Sequence, residues 1–512
     1  MSEDDETTGK AITVIGIVGA GAMGRGIAQI TAQAGIPVCL FDVQPEAAEK
    51  ARQLIAEQWQ KLVNKDKLSE EQCQEALECL QVIDTLEELA DCDLVVEAIV
   101  EKLEVKRALF QQLDHIVSDD CILATNTSSL SVTAIAAGSK LPERVAGLHF
   151  FNPVPMMKVV EVIDGLLTRP EISEQLMAFT VRTGHLPVRA KDTPGFIVNH
   201  AGRGYGTEAL RLLQENVAGF RQIDQIMREA AGFRLGPFEL LDLTGLDVSH
   251  PVMEAIYHQY YEEPRYRPNV ITAQRLHAGV LGRKTGRGFY SYGGHDADHK
   301  VEDSVAAWDG PVWVSLSNPE AVPALTDLLE RCGVTPEQGE RPSDTALCIV
   351  SPFGEDVSSC VAREGLPARR TVGIDALLDC QGHLSLMMSP ATDAELAEQC
   401  RALLQTGGQG VSLIQDSAGF VVQRVLATII NIACEIVQQG ICSPADLDRA
   451  VVLGLAYPMG PLAWGDKLGA SRILTVLRNL LSSTGDPRYR PSPWLVRRAQ
   501  LGLSLTHIAQ QT

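Results

Sequence analysis

The sequence has little positive charge. Its 44 lysines and arginines are outnumbered by 65 aspartates and glutamates, and the formal net charge is -21 at pH 7. Proteins that bind nucleic acids or anionic membranes over a broad surface need concentrated basic residues. We therefore expect neither a nucleic-acid partner nor a membrane partner, and an anionic ligand must be held by donors at a local site.

Paired cysteine motifs are also absent. The 12 cysteines include no C-x-x-C pair, and they are scattered through segments with the apolar patterns of strands and helices. This distribution is typical of reduced core residues in a cytoplasmic protein. We expect neither a disulfide framework nor a metal site.

No stretch has the pattern of a signal peptide or of a membrane span. Residues 1–10 are acidic and polar, which predicts a disordered tail. The most apolar run, Phe420 to Val437, contains Gln423, Arg424 and Glu435. Polar side chains at these positions indicate a buried amphipathic helix and not a membrane span.

The clearest motif lies between Ile12 and Asp42. An apolar run is followed by a G-x-G-x-x-G turn, a helix-forming segment and a second apolar run, which together predict a βαβ unit. In such a turn the first glycine permits a tight bend, the second lets the backbone approach a pyrophosphate, and the third lets helix and strand pack closely. The helix N-terminus then offers N–H groups to the phosphates. The pattern predicts a doubly wound Rossmann domain that holds its cofactor at Gly19, Gly21, Ala22, Met23 and Gly24.

Asp42 follows the second apolar run, where an acidic residue is expected to hydrogen-bond an adenosine ribose. Its carboxylate would repel a 2′-phosphate, and the next three residues supply no arginine to hold one, so NAD is favoured over NADP. The alternative role of Asp42, as the N-cap of the helix that follows, does not exclude the ribose contact.

The next segment, Glu46 to Leu80, has the pattern of a long helical stretch with Lys61, Lys65 and Lys67 near its middle. Mixed charge is common on exposed helices. By themselves these lysines indicate a solvated helical hairpin.

Polar residues follow two further apolar runs, Leu94 to Val100 and Ile122 to Thr125. Ligands of open parallel sheets bind just beyond the carboxyl ends of the strands. Topology therefore places Glu101, Asn126 and Ser128 at the cofactor edge.

His149 ends another predicted strand, and Glu161 lies twelve residues later among β-branched residues. A glutamate buried in a strand needs a partner, and His149 is the obvious one. A carboxylate that holds one imidazole nitrogen leaves the other free to take a proton, as general-base catalysis requires. The alternative is a core histidine with its hydrogen bonds satisfied.

Five motifs, in unbroken order between about Ile12 and Tyr292, resemble those of the L-3-hydroxyacyl-CoA dehydrogenase family. They are Gly19 to Gly24, Asn126 to Ser129, Gly147 to Pro153, Asp192 to Asn199 and Gly236 to Glu239. The resemblance implies NAD-dependent oxidation of an L-3-hydroxyacyl-CoA to the 3-oxoacyl-CoA. It assigns catalytic roles to Ser128, His149, Glu161 and Asn199. The NAD contacts that it implies are the glycine loop, Asp42, Glu101, Lys106, Ser128 and Asn152, and it places Lys61, Lys65 and Lys67 near the CoA moiety.

Beyond Asp192 the pattern becomes helical. Thr193-Pro194 has the character of a helix start, which would put Asn199 nearly two turns into that helix and facing the cleft between domains. A basic glycine-rich loop, Gly282 to Tyr290, is expected to close this helical domain by structural packing or as a C-terminal clamp.

The rest of the sequence is an internal repeat without the chemistry. Asp416 to Gln423 repeats Asp192 to Asn199, and Arg488 to Pro491 repeats Arg265 to Pro268. At the aligned positions His149 becomes Asp375, Glu161 becomes Ser385 and Asn199 becomes Gln423, and no glycine fingerprint precedes them.

The 512 residues therefore predict several domains. We expect an N-terminal α/β Rossmann domain followed by an all-α domain, then a degenerate α/β piece and a second all-α domain. Because the helical domains of the resembled family pair across a dimer, the second copy is expected to pack on the first within the chain, and a homo-oligomer stays open. The expected segments are a tail (1–10), the NAD-binding domain (11–191), the first helical domain (192–292), a linker (293–309), the degenerate piece (310–415) and the second helical domain (416–512).

Two other functions remain as alternatives at this point. A small β-hydroxyacid dehydrogenase usually has a catalytic lysine in the helical domain, where this sequence has Asn199. A non-enzymatic, crystallin-like relative would not need the complete catalytic set. The duplicated architecture resembles bacterial 3-hydroxybutyryl-CoA or 3-hydroxyadipyl-CoA dehydrogenases of fatty-acid or phenylacetate catabolism, but no residue identifies the acyl chain.

Overall fold

The computed structural model describes residues 11–293 and 305–508. The tail expected over 1–10, and most of the linker expected over 293–309, lie outside the described residues. The described chain forms two compact units. The first unit contains the residues up to His200 together with Gln439–Leu455, and the second contains Ala201–Gln438 and the residues from Ala456 onwards.

An eight-stranded sheet forms the centre of the first unit. Its strands are β1 (Ile15–Val18), β2 (Val38–Phe41), β3 (Leu80–Val82), β4 (Leu94–Glu97), β5 (Ile122–Thr125), β6 (Val145–Phe150), β7 (Val159–Asp164) and β8 (Leu186–Lys191). They pair in the order β3-β2-β1-β4-β5-β6-β7-β8, with β1 to β6 parallel and β7 antiparallel to β6. From β1 the chain adds β2 and β3 on one side of the sheet and then continues with β4 on the other side. Doubly wound sheets bind dinucleotides at this switch point between β1 and β4.

Helices cover both faces of this sheet. They are α1 (Ala22–Gln33), α2 (Pro45–Val63), α3 (Glu70–Glu78), α4 (Leu103–Leu113), α5 (Val132–Ala136) and α6 (Pro170–Arg182). One apolar core contains Trp59 and Phe179, and a second core contains Phe110 and Ile135. The α/β class expected for this segment is confirmed.

The stretch expected to be helical from Glu46 to Leu80 is interrupted. Helix α2 ends at Val63, and α3 begins after Ser69. The Ser69 hydroxyl accepts from the backbone N–H of Gln72, and the side-chain oxygen of Gln72 accepts from the backbone N–H of Ser69. This capping box satisfies N–H groups that a new helix leaves unpaired, so it fixes the start of α3.

The remaining elements follow the predicted alternation of helical and α/β segments. The first helical segment contains α7 (Val198–Ala201), α8 (Arg203–Gln214), α9 (Phe220–Glu229), α10 (Pro237–Thr244), α11 (Leu246–Gln259) and α12 (Val270–His277). The second α/β segment contains β9 (Val312–Val314), α13 (Val322–Arg331), β10 (Leu347–Val350), α14 (Val357–Glu364), β11 (Thr371–Ile374), β12 (Leu384–Met388), α15 (Ala394–Gln405) and β13 (Val411–Gln415). The last segment contains α16 (Val421–Gln438), α17 (Pro444–Leu455), α18 (Pro461–Leu468), α19 (Ala470–Thr484) and α20 (Pro493–Leu501).

Helix α17 belongs to the first unit although it comes from the second half of the sequence. It packs on β7 and β8. Just before the helix, the carbonyl of Ile441 accepts from the backbone N–H of Lys191 at 2.9 Å.

The second unit contains a shorter sheet with the order β13-β12-β11-β10-β9. Strands β11 and β12 are antiparallel and the other pairs are parallel, which is the pattern of β4 to β8 in the first sheet. In both copies an aspartate accepts from the first N–H groups of a helix: Asp192 binds Val132, and Asp416 binds Val357. Within the described residues, this sheet has no counterparts of β1, β2 and β3, so the segment is a degenerate Rossmann half.

Helix α16 is the centre of the helical part of the second unit, where it packs on α8, α18, α19 and α20. It is long and apolar enough to cross a membrane, but 89% of it is buried inside the protein. The burial expected for this helix from the sequence is confirmed, and it extends to nearly all sides of α16 because helices surround it.

The loop from Gly282 to Tyr290 packs against α10 of the same unit. The carboxylate of Asp242 accepts from the backbone N–H groups of Phe289 and Tyr290, each at 2.8 Å. Of the two roles expected for this loop, the contacts support structural packing.

Candidate active site

The glycine turn after β1 has the shape that a dinucleotide needs. Gly19 has φ +108°, and a Cβ there would lie 2.5 Å from the carbonyl oxygen of Ala98. A Cβ on Gly24 would lie 1.8 Å from the carbonyl oxygen of Gly19, so only glycine lets α1 approach the turn this closely. A Cβ on Gly21, in contrast, would meet no atom within 4 Å. The backbone at Gly21 therefore faces open space at the N-terminus of α1, where a pyrophosphate fits.

Asp42 lies just beyond the end of β2 and is tied to the glycine turn. Its carboxylate accepts from the backbone N–H of Ala20 at 2.7 Å and from that of Gln44 at 2.9 Å. The N-cap of α2 is Gln44, so the alternative role of Asp42 as that cap is wrong. The half-buried carboxylate lies next to the turn, in a position to accept a hydrogen bond from a ribose hydroxyl.

A chain of ion pairs that starts at the buried pair of Lys106 and Glu97 supports the loop after β5. The ammonium of Lys106 lies 2.5 Å from Glu97 and 3.1 Å from Glu101. The other oxygen of Glu101 accepts from the Thr127 hydroxyl at 2.6 Å and from the Ser128 backbone N–H at 3.0 Å. Burial opposes ionisation of Glu101, but the charge of Lys106 and the hydrogen bonds from Thr127 and Ser128 outweigh it and lower the pKa of its carboxyl. Glu101 therefore fixes the backbone that carries Ser128.

His149 and Glu161 stand directly opposite each other on the antiparallel strands β6 and β7. Directly opposed residues on one face of a sheet have their Cβ atoms within reach of side-chain contact. Nδ1 of His149 lies 2.6 Å from Oε2 of Glu161, and both side chains are buried. An ionised carboxylate only accepts, so Nδ1 carries the proton and Nε2 is left as the acceptor.

The other oxygen of Glu161 holds the start of α7. It accepts from the backbone N–H groups of Ile197 and Val198 at 2.9 and 2.8 Å. Asn199 is the second residue of α7, so the expectation that it lies nearly two turns into a helix starting at Thr193-Pro194 is wrong. The backbone before Ile197 cannot be helical because Gly195 and Phe196 have φ of +77° and +48°.

A cavity of about 290 Å³ brings most of these residues together. Its walls are formed by Met23, Ala98, Ile99, Glu101, Lys106, Asn126, Ser128, His149, Phe150, Phe151, Asn152 and Asn199. Glu161 lies behind His149, and Asp42 lies at the far end of the glycine turn. Lys61, Lys65 and Lys67 do not line the cavity; they are exposed at the tip of the hairpin formed by α2 and α3.

Three residues near the cavity were not singled out from the sequence. The ring of Phe151 lies 4.4 Å from that of His149, and the ring of Phe196 lies 5.9 Å from it. Phe151 belongs to the motif Gly147 to Pro153, and Phe196 belongs to the motif Asp192 to Asn199. Their closeness in sequence to His149 and Asn199 could have predicted that they lie at the site. Glu97 is a buried strand glutamate, and the argument applied to Glu161 would have predicted a partner for it as well.

The equivalent position in the second unit is filled by hydrogen bonds. The Gln423 amide donates to Asp375 at 3.0 Å and to the Pro352 carbonyl at 3.1 Å, and the backbone of Asp375 pairs with Ser385. Burial raises the pKa of Asp375 to about 6. No imidazole is present among these groups, so they cannot act as the base that His149 can provide.

Within 11–293 and 305–508, no group of three or more His, Cys, Asp or Glu side chains is arranged to hold a metal ion. The twelve cysteines all lie in the described part of the chain, where none of them forms a disulfide, and most of them are buried.

Comparison with known proteins accounts for this arrangement. Residues 14–193 match the family described as "3-hydroxyacyl-CoA dehydrogenase, NAD binding domain". Residues 195–292 and 419–506 both match "3-hydroxyacyl-CoA dehydrogenase, C-terminal domain", which agrees with the internal repeat.

Similar proteins are found at full and at half length. A 3-hydroxyadipyl-CoA dehydrogenase of Escherichia coli K12 is 39% identical over 96% of this chain and 98% of its own. A crystal structure of 3-hydroxybutyryl-CoA dehydrogenase from Escherichia coli K12 is 38% identical, with a TM-score of 0.83 over 96% of this chain and 98% of that chain. A probable 3-hydroxybutyryl-CoA dehydrogenase of Bacillus subtilis is 41% identical over 55% of this chain and 98% of its own. The chain therefore belongs to the 3-hydroxyacyl-CoA dehydrogenase family, as an NAD-dependent oxidoreductase.

Proposed function

We propose that this enzyme oxidises an L-3-hydroxyacyl-CoA at C3 and that His149 is the general base. The observation that carries the proposal is the 2.6 Å contact between His149 and the buried Glu161, beside a cavity that Ser128 and Asn199 also line. The comparisons with known proteins give no support to the two alternatives, a small β-hydroxyacid dehydrogenase and a crystallin-like protein.

The residues divide the work of the reaction. Nε2 of His149 takes the proton of the 3-hydroxyl group, and Glu161 stabilises the imidazolium that forms. Ser128 and Asn199 hydrogen-bond the oxygen at which charge develops. Bound at the glycine turn and Asp42, NAD would supply the acceptor for the hydride from C3, so the products would be the 3-oxoacyl-CoA, NADH and the protonated base.

Two features of the site support NAD as the cofactor. Open space adjoins Gly21 at the start of α1, and the Asp42 carboxylate is fixed beside the turn. We assign pyrophosphate contacts to the backbone of the glycine turn, including Ala22 and Met23, and the ribose contact to Asp42. Glu101, Ser128 and Asn152 are assigned to the nicotinamide end. Lys106 is assigned to the same end, where it acts through Glu101.

The CoA moiety is assigned to Lys61, Lys65 and Lys67. All three are exposed on the hairpin tip, where their ammonium groups are available to phosphate oxygens. A protein with a net charge of -21 needs such a local cluster to attract a polyanionic substrate.

For the acyl chain, 3-hydroxyadipyl-CoA is the first candidate because the full-length relative with the same duplicated architecture carries that name. The second candidate is 3-hydroxybutyryl-CoA, after the names of a full-length structure and a half-length relative. A cytoplasmic place in fatty-acid or phenylacetate catabolism is consistent with either substrate.

The segment boundaries given above remain our proposal for the domains, with α17 as the exception that joins the first unit. We also propose that the two helical segments pair within the chain as family members pair between subunits. Support comes from the second unit, where α8 of the first copy packs along α16 of the second. Light scattering of the purified protein would determine whether whole chains associate further.

The test is NADH oxidation with acetoacetyl-CoA and with 3-oxoadipyl-CoA, for the wild type and for His149→Ala. We expect turnover that falls by about 10²–10⁴-fold in the variant while NADH binding persists. The ratio of kcat/KM values then selects the substrate. Tight NADH binding without turnover of either thioester would refute the proposed acyl chains, and turnover unaffected by the substitution would refute the role of His149.

A further inference from the structure

Helix α17 borders the candidate active site although it lies about 250 residues after Asn199 in the sequence, within a repeat that has lost its own site. Its buried residues Leu447, Ala450 and Val451 recur at helical spacing. Gly454 continues the same face one turn later. This face packs on the first sheet at β7 and β8.

Gly454 brings the end of α17 against the start of α7. A Cβ at this position would lie 3.0 and 3.1 Å from the two methyl groups of Val198 and 3.4 Å from a methyl group of Val159. Glycine inside a helix lowers stability relative to alanine, so its presence here needs a packing reason. That reason is the close approach to Val198.

Val198 is connected directly to the proposed catalytic groups. Its backbone N–H donates to Glu161, whose other oxygen contacts His149, and the next residue is Asn199. The preceding turn contains Phe196 with φ +48°, a conformation that persists only where the surroundings impose it. A shift of the Val198 side chain would therefore displace a strained turn that leads into Asn199 and that is hydrogen-bonded to Glu161.

The position of α17 is itself fixed. The Lys191 N–H binds Ile441 just before the helix, and the Ser443 hydroxyl accepts from the N–H of Asp446 in its first turn. These contacts fix the start of α17, and the packing of the helix on β7 and β8 holds the rest of it, with Gly454, against the sheet.

We propose that α17 is a positioning element for the active site: through the contact of Gly454 with Val198, the catalytically degenerate half of the chain sets the rate of the other half. The proposal rests on the roles assigned above to Glu161 and Asn199. It predicts that a change in the second half reduces kcat without changing cofactor affinity.

The test compares two glycine-to-alanine changes inside helices. In Gly454→Ala the new methyl group presses on Val198, whereas in Gly206→Ala it meets only the Met253 Cε, at 3.9 Å. The contacts at 3.0 and 3.1 Å require Val198 to shift by a few tenths of an ångström. A misplacement of about 1 Å costs up to about 100-fold in rate, so for this smaller shift we expect kcat with acetoacetyl-CoA to fall by about five- to tenfold in Gly454→Ala. The KM for NADH should be unchanged and the unfolding temperature should not fall, and Gly206→Ala should keep the wild-type kcat.

Compensation provides the second readout. Val198→Ala removes the methyl groups that the new side chain meets, so the double variant Gly454→Ala/Val198→Ala should have a higher kcat than Gly454→Ala. Val198→Ala alone removes the contact without adding bulk, and its kcat should also fall, which keeps the test valid if Gly454→Ala does not fold.

Two outcomes would overturn the inference. One is wild-type kcat in both Gly454→Ala and Val198→Ala. The other is a loss of kcat that follows a loss of folded protein and that Val198→Ala does not relieve. Absence of turnover in the wild-type protein is a separate result, which would refute the proposed substrate and not the contact.

Discussion

The guanidinium of Arg424 lies 2.7 Å from the carboxylate of Glu208 in the interior of the second unit, and the two residues come from different copies of the repeat. Both side chains are almost completely buried, at 1% and 0% exposure. Arg424 also binds Glu215 at 2.6 Å and the Tyr489 hydroxyl at 2.9 Å. This buried network lies where α8 packs on α16.

Replacement of Arg424 should therefore weaken the packing of α8 on α16, which joins the two copies of the helical domain. In Arg424→Met the buried carboxylate of Glu208 loses its main counter-charge, and we expect the free energy of unfolding to fall by about 3–5 kcal/mol. Urea denaturation measures it. Arg449→Met is the control, because Arg449 is exposed and its pair with Asp446 should contribute less than about 1 kcal/mol. Equal stability of the two variants would contradict the role of the network.

Glu161→Gln should separate position from charge at the candidate site. The glutamine oxygen can still accept from Ile197 and Val198, but its amide then faces Nδ1 of His149 and favours the wrong tautomer. We expect kcat to fall by about 10²–10⁴-fold with little change in the KM for NADH. The check is steady-state kinetics beside thermal unfolding. A variant with wild-type kcat would exclude Glu161 as the group that orients His149.

Asp42→Asn should relax the choice of cofactor. The amide oxygen can keep the contact with the Ala20 N–H, but the charge that repels a 2′-phosphate is gone. We expect the ratio of kcat/KM for NADPH to that for NADH to rise by about fivefold or more, because a repelled phosphate costs on the order of 1 kcal/mol or more near a partly buried charge. Glu49→Gln, an exposed change on α2, is the control and should leave the ratio unchanged.

Replacing Lys61, Lys65 and Lys67 together by alanine should weaken substrate binding at low salt. Exposed charge pairs contribute about 0.2–1 kcal/mol each, so the loss of all three should raise the KM for acetoacetyl-CoA by about threefold or more. The same variant should turn over acetoacetyl-N-acetylcysteamine, which has no nucleotide, at the wild-type rate. An equal effect on both thioesters would show that these lysines do not bind the CoA phosphates.

Asp375→Asn should stabilise the protein in a pH-dependent way. Burial raises the pKa of Asp375 to about 6, above the unfolded value of about 3.9, so between these values the folded state holds more protons and its stability falls as pH rises. Asparagine keeps the oxygen that accepts from Gln423 but never ionises. Its advantage over the wild type should be absent near pH 4, grow through pH 6 and reach about 2–3 kcal/mol above pH 7.

Urea denaturation at pH 4, 6 and 7.5 measures that difference. Asp379→Asn, an exposed neighbour, is the matched control and should show no such trend. A constant difference for Asp375→Asn at all three pH values would mean that Asp375 ionises normally in the folded protein. NADH oxidation should be unchanged in both variants.

The sequence was most informative where local pattern and chemistry coincide. The glycine turn and Asp42 lie within one βαβ unit, so short-range spacing determines their placement. The pairing of His149 with Glu161 was also predicted from the pattern, because a glutamate buried in a strand needs a partner and strands that are consecutive in the sequence are often neighbours in the sheet.

Prediction failed where a distant contact decides the backbone. Thr193-Pro194 has the character of a helix start, but the helix begins at Val198 because Glu161 binds the N–H groups of Ile197 and Val198. The left-handed conformation of Phe196 has no signal in residue type, since it is imposed by its surroundings. The docking of α17 on β7 and β8 was equally inaccessible, because its apolar face does not reveal which sheet it covers.

The missing strands of the second sheet have a consequence for how much catalyst a given mass of protein contains. A counterpart of β1, β2 and the glycine turn is lacking in the described part of the second copy, so one chain of 55.4 kDa offers one dinucleotide cradle for two C-terminal domains. NADH should therefore saturate the protein at one equivalent per chain. Per milligram, the enzyme has about half the reactive centres of a single-copy chain, such as one that spans only 55% of this length.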